Sequence, residues 1–304
     1  MALGATVPQS LRDAFYHVDE IWTSSQFCKN AFSAVRPIPV HVIPHPLHIV
    51  AKQPLTHAQL GVAEGRFTFF YSFAAPSSDQ RKNPLGVIEA FRRAFPADYP
   101  QPPVLIIKAH HLDKFPEYAQ VLKDQAASVN GILIEESLTR QAMNDLLASI
   151  DCYISLHRAE GFGIGMAEAM ALGKPVIATH YSGNIDFMNE DNSFLVDYDL
   201  APVFATDFKF QPDYAGLYES GQVWAEPDLD HAAELMQYVV THPDLATQRG
   251  KLAKATIETH FSLQAIGHKI QQRLGEINLE CRRSQQKYVP TLTNHDELIA
   301  LLDT

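Results

Sequence analysis

Cysteine is scarce in this 304-residue chain, and its spacing argues against two classes of protein. Cys28, Cys152 and Cys281 stand far apart, so they form neither a Cys-x-x-Cys zinc pair nor an even set for a disulfide framework. Such cysteine usage is typical of a reducing compartment. We therefore expect a cytoplasmic protein.

Long apolar runs are also missing. The first residues have no basic region followed by an apolar core, and no later run approaches the roughly 20 apolar residues of a membrane-spanning helix. We expect a soluble chain, and association with a membrane surface stays open.

Basic residues are fewer than acidic residues. Lys and Arg total 24 against 35 Asp and Glu, which gives a formal net charge of −11. A nucleic acid requires basic surface patches, so this balance disfavours general nucleic acid binding. The sequence also has no Gly-x-Ser-x-Gly elbow, which disfavours a hydrolase with such a nucleophile, and no Gly-x-x-x-x-Gly-Lys loop, which disfavours a P-loop enzyme. Local basic residues must therefore bind any phosphate.

The chain does contain a regular alternation of strand and helix patterns. Strands are predicted at residues 19–23, 40–43, 67–73, 104–108, 131–134, 152–156, 176–179 and 193–196. Helices are predicted at residues 9–19, 25–35, 84–94, 115–128, 139–149, 164–172, 228–241, 244–259, from 260 to about 277, and 294–302. This alternation predicts an α/β fold with a parallel sheet covered on both faces, and 46% hydrophobic residues supply its core. We interpret residues 47 to about 200 as one Rossmann-like domain.

The predicted fold also places a binding site. In a parallel sheet of this kind, ligands bind beyond the carboxyl ends of the strands. We therefore expect one site where five loops converge, at residues 72–83, 108–113, 135–138, 157–163 and 180–186.

The segment that says most about function is a glycine-rich turn between two glutamates. Gly161, Gly163 and Gly165 remove side chains from a turn that opens onto free N–H groups of a predicted helix, which suits a phosphate. Glu160 precedes the turn and Glu168 follows it. Their carboxylates can hold hydroxyls on either side of that phosphate, a ribose at one end and a sugar at the other.

This spacing resembles the Glu-x7-Glu motif of glycosyltransferase family 4, the group 1 retaining transferases with a GT-B fold. The run Arg-Lys-Asn-Pro-Leu-Gly around Lys82 resembles the lysine-bearing loop and first helix of that family's donor domain. Residues 146–155 and 182–188 resemble the segments on either side of the motif. The resemblance covers roughly residues 20–275 and is most specific at 137–196.

The resemblance implies roles for the main side chains. Glu168 would accept hydrogen bonds from the ribose hydroxyls of a nucleotide, and Glu160 would face the donor sugar. Lys82 would neutralise the diphosphate leaving group, where a fixed cation helps the transition state more than the ground state. The family often has an Arg five residues before this Lys. Here that position is Ser77, and Arg81 is the candidate substitute.

Other candidates for donor binding surround these side chains. The backbone N–H groups of the turn would face sugar or phosphate, at Gly161, Phe162, Gly163 and Ile164. Lys108, His157 and Arg158 follow strands at the ligand edge and could contact phosphate or acceptor, with a structural role as the alternative for each. His110 and His111 are predicted in a surface loop. The family's phosphate-binding Gly-Gly pair is replaced here by Ser182, Gly183 and Asn184.

Metal ligands are not evident. Asp197-Tyr-Asp199 has the spacing of the Asp-x-Asp metal motif of the other large transferase fold. It follows the last predicted strand and lacks the surrounding sequence of that fold, so we interpret it as a loop. No other cluster has metal-ligand spacing. We therefore predict metal-independent chemistry without a cofactor, in which a nucleotide-diphosphate sugar is the donor substrate.

The chain departs from the family in its N-terminal part. A GT-B enzyme carries two Rossmann-like domains, and the acceptor normally binds the first. Residues 1–46 match only a remnant of that domain and its linker, residues 47–277 match the donor domain with an insertion at about 201–224, and residues 278–304 form a tail. Either the sequence is a fragment, or the acceptor side has been lost, or a partner chain or second copy supplies it.

The function that the resemblance implies is transfer of a hexose, with retention, from a nucleotide-diphosphate sugar to an acceptor hydroxyl. The acceptor, whether carbohydrate, lipid-linked or protein, stays open, as do the base and the sugar. The alternative is a nucleotide-sugar-binding module or fragment without independent catalysis. A phosphorylase or epimerase of the same fold has less support. A phosphorylase would need a pyridoxal phosphate lysine in a context that is not found here, and an epimerase would share the fold but not this donor motif.

Overall fold

A computed structural model of the chain describes residues 6–204 and 221–287, and it confirms the predicted α/β fold. The strands are β1 Ile21–Thr23, β2 Val40–Val42, β3 Thr68–Ala74, β4 Val104–His110, β5 Ile132–Ile134, β6 Cys152–Ser155, β7 Val176–Thr179, β8 Phe194–Val196, β9 Tyr198–Pro202 and β10 Val223–Pro227. The helices are α1 Gln9–Arg12, α2 Gln26–Ser33, α3 His57–Leu60, α4 Asp79–Lys82, α5 Pro84–Ala94, α6 Pro116–Ser128, α7 Arg140–Ser149, α8 Ile164–Ala171, α9 Leu229–Thr241, α10 Pro243–His260 and α11 Leu263–Lys287.

The main sheet has six strands in the order β5-β4-β3-β6-β7-β8, and every neighbouring pair is parallel. Strand β3 lies near the centre, where it pairs with both β4 and β6. Its Phe69 and Phe70 are fully buried, as expected of a parallel strand covered on both faces. Because all six strands run the same way, their carboxyl ends meet at one edge, where the predicted loops are found.

Helix α5 illustrates how the local sequence sets an element beside that edge. Pro84 occupies its first turn, where a missing N–H carries no penalty, and the Asn83 side chain accepts a hydrogen bond from Gly86 N at 3.1 Å. Asn83 also donates to Leu156 O at 2.9 Å, which ties the start of the helix to the loop after β6. Lys82, directly before this cap, is thereby fixed at the sheet edge.

Helix α8 is closely packed at its C-terminal end. Gly250 of α10 lies against the turn that follows α8, and a Cβ there would stand 2.2 Å from Gly173 O. Since that neighbour is a backbone atom, it cannot move aside as a side chain would. The two helices can approach this closely only because position 250 is a glycine.

Residues before the main sheet form a small unit of their own. Strands β1 and β2 pair in parallel, and α2 lies between them in the sequence. The unit has a separate core that includes Val7, Phe15 and Ala31. Leu47 N donates to Phe261 O at 2.7 Å, and Arg273 of α11 pairs with Glu20 at 2.5 Å. The interpretation of residues 1–46 as a remnant of an N-terminal domain stays a prediction.

Several predicted elements need correction. The stretch 201–224, predicted as an irregular insertion, begins and ends in an antiparallel pair in which β9 faces β10. Asp199, predicted in a loop, therefore lies in β9 opposite Glu226. Helix α11 continues past the predicted end at 277, and the predicted helix at 294–302 lies outside the described residues. The predicted helix at 9–19 is the short α1 followed by a 3-10 turn at Asp13–His17.

We expect Leu147→Ala in α7 to destabilise the chain by about 3 kcal/mol, because Leu147 is fully buried and its loss leaves a cavity in the core. Leu245→Ala in α10 is the matched control, since that leucine is 45% exposed and should change stability by less than about 0.5 kcal/mol. Urea denaturation of both variants measures the difference. Equal losses would show that the core does not extend beneath α7 as described.

Candidate functional site

A cavity of ≈ 500 Å³ opens at the carboxyl edge of the sheet. Four of the five predicted loops contribute to its lining, with Lys82, His110, Leu138, Glu160 and Gly163 among the residues there. His110, predicted in a surface loop, therefore lies at the site. The fifth loop, at 180–186, packs behind the glycine turn and lends it support.

The glycine turn leads directly into helix α8. Gly163 is the N-cap with φ of +92°, a left-handed conformation that favours glycine, and no side chain caps the helix there. The first N–H groups of α8 therefore have no intrahelical partner, and Ile164, Gly165 and Met166 of this first turn line the cavity. Gly165 permits a close approach to β6, since a Cβ there would stand 2.5 Å from Tyr153 Oη. The helix N-terminus thus rests directly on β6 as an anion-binding surface.

Glu160 is held at this turn by two cations. Its Oε1 pairs with Lys82 Nζ, and Arg81 Nη1 lies 3.3 Å from its Oε2. Burial alone would raise the pKa of Glu160, but Lys82 and Arg81 outweigh it and lower that pKa to about 2. Burial lowers the pKa of Lys82, and Glu160 opposes that change only in part. Arg81 also donates to Ala159 O at 2.7 Å, so it is buried in the turn and does not point to solvent.

Glu168 lies at the other end of the cavity, on helix α8, which follows the turn. It is buried and pairs with Arg140, the first residue of α7. Burial raises the pKa of Glu168, and Arg140 offsets this only in part. The sequence interpretation missed Arg140. The available signal was a basic residue at the start of a helix that follows one of the predicted site loops.

The loop at 180–186 fixes the backbone of the turn. Glu160 N donates to Ser182 Oγ at 2.8 Å, and Gly183 N donates to Glu160 O at 2.9 Å. A Cβ on Gly183 would stand 2.3 Å from Gly161 O, so only glycine permits this contact. Asn184 is fully buried and donates to Thr179 O at 3.0 Å. These residues occur where predicted, but they contact the turn from behind.

Three further candidates lie outside the lining of the cavity. Lys108 is fully buried, and its ammonium donates to Ala109 O at 3.0 Å. His157 is fully buried beneath the turn. Arg158 is directed to the opposite side, where it pairs with Glu226 at 2.6 Å. In each case the strand or loop ends at the site, but the residue does not line the cavity.

Comparison with known proteins finds one family match. Residues 73–208 match the family described as Glycosyl transferases group 1. The matched stretch is somewhat less than half of the chain and includes the glycine turn with both glutamates. The predicted resemblance is thereby confirmed at the level of group 1, and the narrower assignment to family 4 stays a prediction. A search of curated proteins found no match to the chain.

Solved structures share the fold of this chain. A sucrose-phosphate synthase from Thermosynechococcus elongatus matches with a TM-score of 0.66 and 16% identity, over 88% of this chain and 61% of that one. Anabaena HepE in complex with UDP and glucose matches with 0.67 and 18%, over 88% and 67%. A UDP-forming trehalose-phosphate synthase from Burkholderia xenovorans matches with 0.66 and 12%, over 91% and 67%. The chain thus spans 61% to 67% of these structures, and the likeness shows a shared GT-B fold.

The N-terminal unit contacts the domain of the main sheet at the glycine turn itself. Ser25 Oγ donates to Gly161 O at 2.5 Å, and Ser24 Oγ and Cys28 Sγ reach the same oxygen at 3.3 Å each. Ser25 is also the N-cap of α2. The sequence does not reveal this contact, because the residues are 136 positions apart.

Two absences concern the parts of the chain that are described. Among residues 6–204 and 221–287, no group of three or more His, Cys, Asp or Glu side chains is placed to hold a metal ion. Within the same ranges, no helix combines the length and apolar character needed to cross a membrane.

We expect Ser25→Ala to destabilise the chain by about 2 kcal/mol, since it removes both a helix cap and the strongest of the three contacts to Gly161 O. Ser24→Ala is the control and should cost less, because its longer contact leaves the cap of α2 intact. Chemical denaturation compares the two. A larger loss for Ser24→Ala would contradict the proposed role of Ser25.

The Glu160 ion pairs also predict a pH dependence. A carboxyl pKa lowered from 4.5 to about 2 stabilises the fold by about 3 kcal/mol at neutral pH. That contribution is complete above pH 4.5 and is lost as the pH falls towards 2. The stability difference between the wild type and Glu160→Gln should therefore shrink over this range. Urea denaturation at a series of pH values measures it, and a constant difference would refute the prediction.

Proposed function

We propose that the chain transfers a hexose from a nucleotide-diphosphate sugar to an acceptor hydroxyl with retention of configuration. One observation carries this proposal. A single cavity brings together a carboxylate beside a cation, an uncapped helix N-terminus and a second carboxylate, in that order along the turn and α8. This arrangement matches the chemistry of sugar, diphosphate and ribose.

The charges favour a diphosphate in the middle of the cavity. Lys82 and Arg81 supply two cations at one end of the turn, and the N-terminus of α8 adds the positive end of its dipole. These groups can neutralise a diphosphate without a metal ion or a cofactor. Glu168 accepts the ribose hydroxyls, and Glu160 accepts hydroxyls of the sugar.

The same groups act on the transition state. Breaking the bond between sugar and phosphate places new negative charge on the leaving diphosphate, next to Lys82. A cation fixed by burial stabilises that charge more than it stabilises the intact donor. Attack from the same face, with a leaving phosphate oxygen helping to deprotonate the acceptor, follows from the family resemblance.

The printed names of similar structures support the donor class. HepE is described in complex with UDP and with glucose, and two others are described as sucrose-phosphate and trehalose-phosphate synthases. These ligands and products contain hexoses, which makes a nucleotide-diphosphate hexose the substrate we propose. The acceptor, nucleic acid excepted, stays open, and we place the reaction in the cytoplasm.

A second candidate is a nucleotide-sugar-binding module without independent catalysis. The chain spans 61% of the sucrose-phosphate synthase, and the unit before its main sheet has a single pair of described strands. Such a module would bind the donor and depend on a partner chain or a second copy for the acceptor side.

We expect the chain to bind one of UDP, GDP and ADP, and Glu168→Ala to weaken that binding by about 10- to 100-fold, because hydrogen bonds from ribose to a buried carboxylate are lost. Isothermal titration calorimetry measures the affinities. Glu190→Ala is the matched control, since Glu190 is an exposed acid away from the cavity and its loss should leave binding unchanged.

Turnover separates the two candidates. Release of the diphosphate from the matching nucleotide sugar, in the presence of mixed acceptors, supports the transferase. Binding without release supports the module. If none of the three nucleotides binds, both candidates are wrong.

A further inference from the structure

Ser155 is a polar residue of the cavity that the proposed roles above leave unused. It ends strand β6 and lines the cavity, although little of its surface is exposed. Its Oγ lies 3.1 Å from Nδ1 of His157, which is fully buried behind it. A serine hydroxyl has one proton and two acceptor lone pairs, so its partner decides what it offers to a ligand.

The surroundings of His157 determine which ring nitrogen carries the proton. Nε2 lies 3.1 Å from Tyr181 O and 3.1 Å from Asn184 Oδ1. The first is a carbonyl, which only accepts. The second is the amide oxygen, because Asn184 Nδ2 is engaged as donor to Thr179 O at 3.0 Å. Two acceptors facing Nε2 require that Nε2 carry the proton.

The ring is neutral in this environment. Burial lowers the pKa of His157 and outweighs the charge of Glu160 and the hydrogen bonds to Tyr181 and Asn184, which raise it, while the Lys82 ammonium adds to the lowering. That carboxylate is already paired with Lys82 and Arg81. A neutral ring protonated at Nε2 presents a lone pair at Nδ1. Ser155 must therefore donate its proton to Nδ1, and its oxygen meets the cavity with lone pairs alone.

The position of Ser155 selects the part of the ligand that it meets. Ser155 and Tyr153 share one face of β6, since side chains alternate along a strand. Tyr153 lies beneath Gly165 and is close enough to Glu168 to interact with its charge. Ser155 lies two residues further along, and its partner His157 is close enough to Glu160 and Lys82 to interact with their charges. This is the end of the cavity where the proposed function places the sugar.

We propose that Ser155 is a specificity-determining residue, set as an obligate hydrogen-bond acceptor by the His157–Asn184 chain, that accepts a hydrogen bond from one hydroxyl of the donor sugar. The assignment rests on the proposed function. An oxygen that offers only lone pairs repels a phosphate oxygen and attracts a hydroxyl, so it also helps to set which end of the ligand occupies this part of the cavity. His157 is a positioning residue that acts through Ser155.

The protonation of His157 can be measured on the free chain. Selective ¹⁵N labelling of histidine with long-range ¹H–¹⁵N correlation spectra shows which nitrogen carries the proton, and the signals missing from His157→Gln identify the residue. We expect a proton on Nε2 alone, unchanged between about pH 6 and pH 8, where an ordinary histidine titrates. A proton on Nδ1, or a charged ring, would overturn the proposal whatever the ligand.

The role of Ser155 requires a comparison of ligands. Ser155→Ala should bind the matching nucleoside diphosphate as the wild type does, and bind the nucleotide sugar about fivefold more weakly. A series of analogues, each lacking one sugar hydroxyl, identifies the partner group. One of them should bind the wild type about fivefold more weakly than the complete sugar but show no such difference in Ser155→Ala. Ser128→Ala on α6, distant from the cavity, should retain the wild-type discrimination.

The outcomes distinguish an error in the role of Ser155 from an error in the proposed function. If the wild type binds a nucleotide sugar and Ser155→Ala discriminates every analogue as the wild type does, the role of Ser155 is wrong and the proposed function stands. If Ser155→Ala loses affinity equally for diphosphate and nucleotide sugar, the assignment to the sugar is wrong. If the wild type binds no nucleotide, the proposed function and this assignment fall together. Denaturation curves for each variant confirm that it is folded.

Discussion

The pairing of Glu160 with Lys82 and Arg81 is the interaction on which the site depends. A buried carboxylate without a partner would be strongly destabilising, and so would a buried ammonium, so neither loop could keep its conformation without the other. The cations come from α4, after β3, and the carboxylate comes from the loop after β6. Their attraction therefore joins adjacent strands of the sheet at the edge where a ligand enters.

Contacts from other parts of the chain keep the same turn in place. Gly183 presses against Gly161 from behind, and Ser25 of the N-terminal unit binds the Gly161 carbonyl from the side. The turn therefore has its carbonyl groups occupied by protein donors, whereas the N–H groups that lead into α8 are directed to the cavity. This division leaves an electropositive backbone surface at the entrance, which suits an anionic ligand.

The parts of the structure that the sequence predicts are those set by local interactions. Helix α5 has the bounds predicted for it, because its start is set by an Asn cap and a Pro that are adjacent in the sequence. The pairing of Ala201 with Trp224 was not predicted, since it depends on residues brought together by the rest of the fold. The site divides in the same way. Glu160, Lys82 and Glu168 lie in the cavity as the motif spacing suggests, whereas the partner of Glu168, Arg140, depends on how α7 packs beside α8.

Helix α8 is closely packed at both ends. A Cβ on Gly165 would meet the Tyr153 side chain at one end, and Gly250 lies against the Gly173 backbone at the other. Within one helix, the distance between the first N–H groups and Glu168 is fixed by the helical rise. A ligand that contacts both must therefore match that distance in its own length.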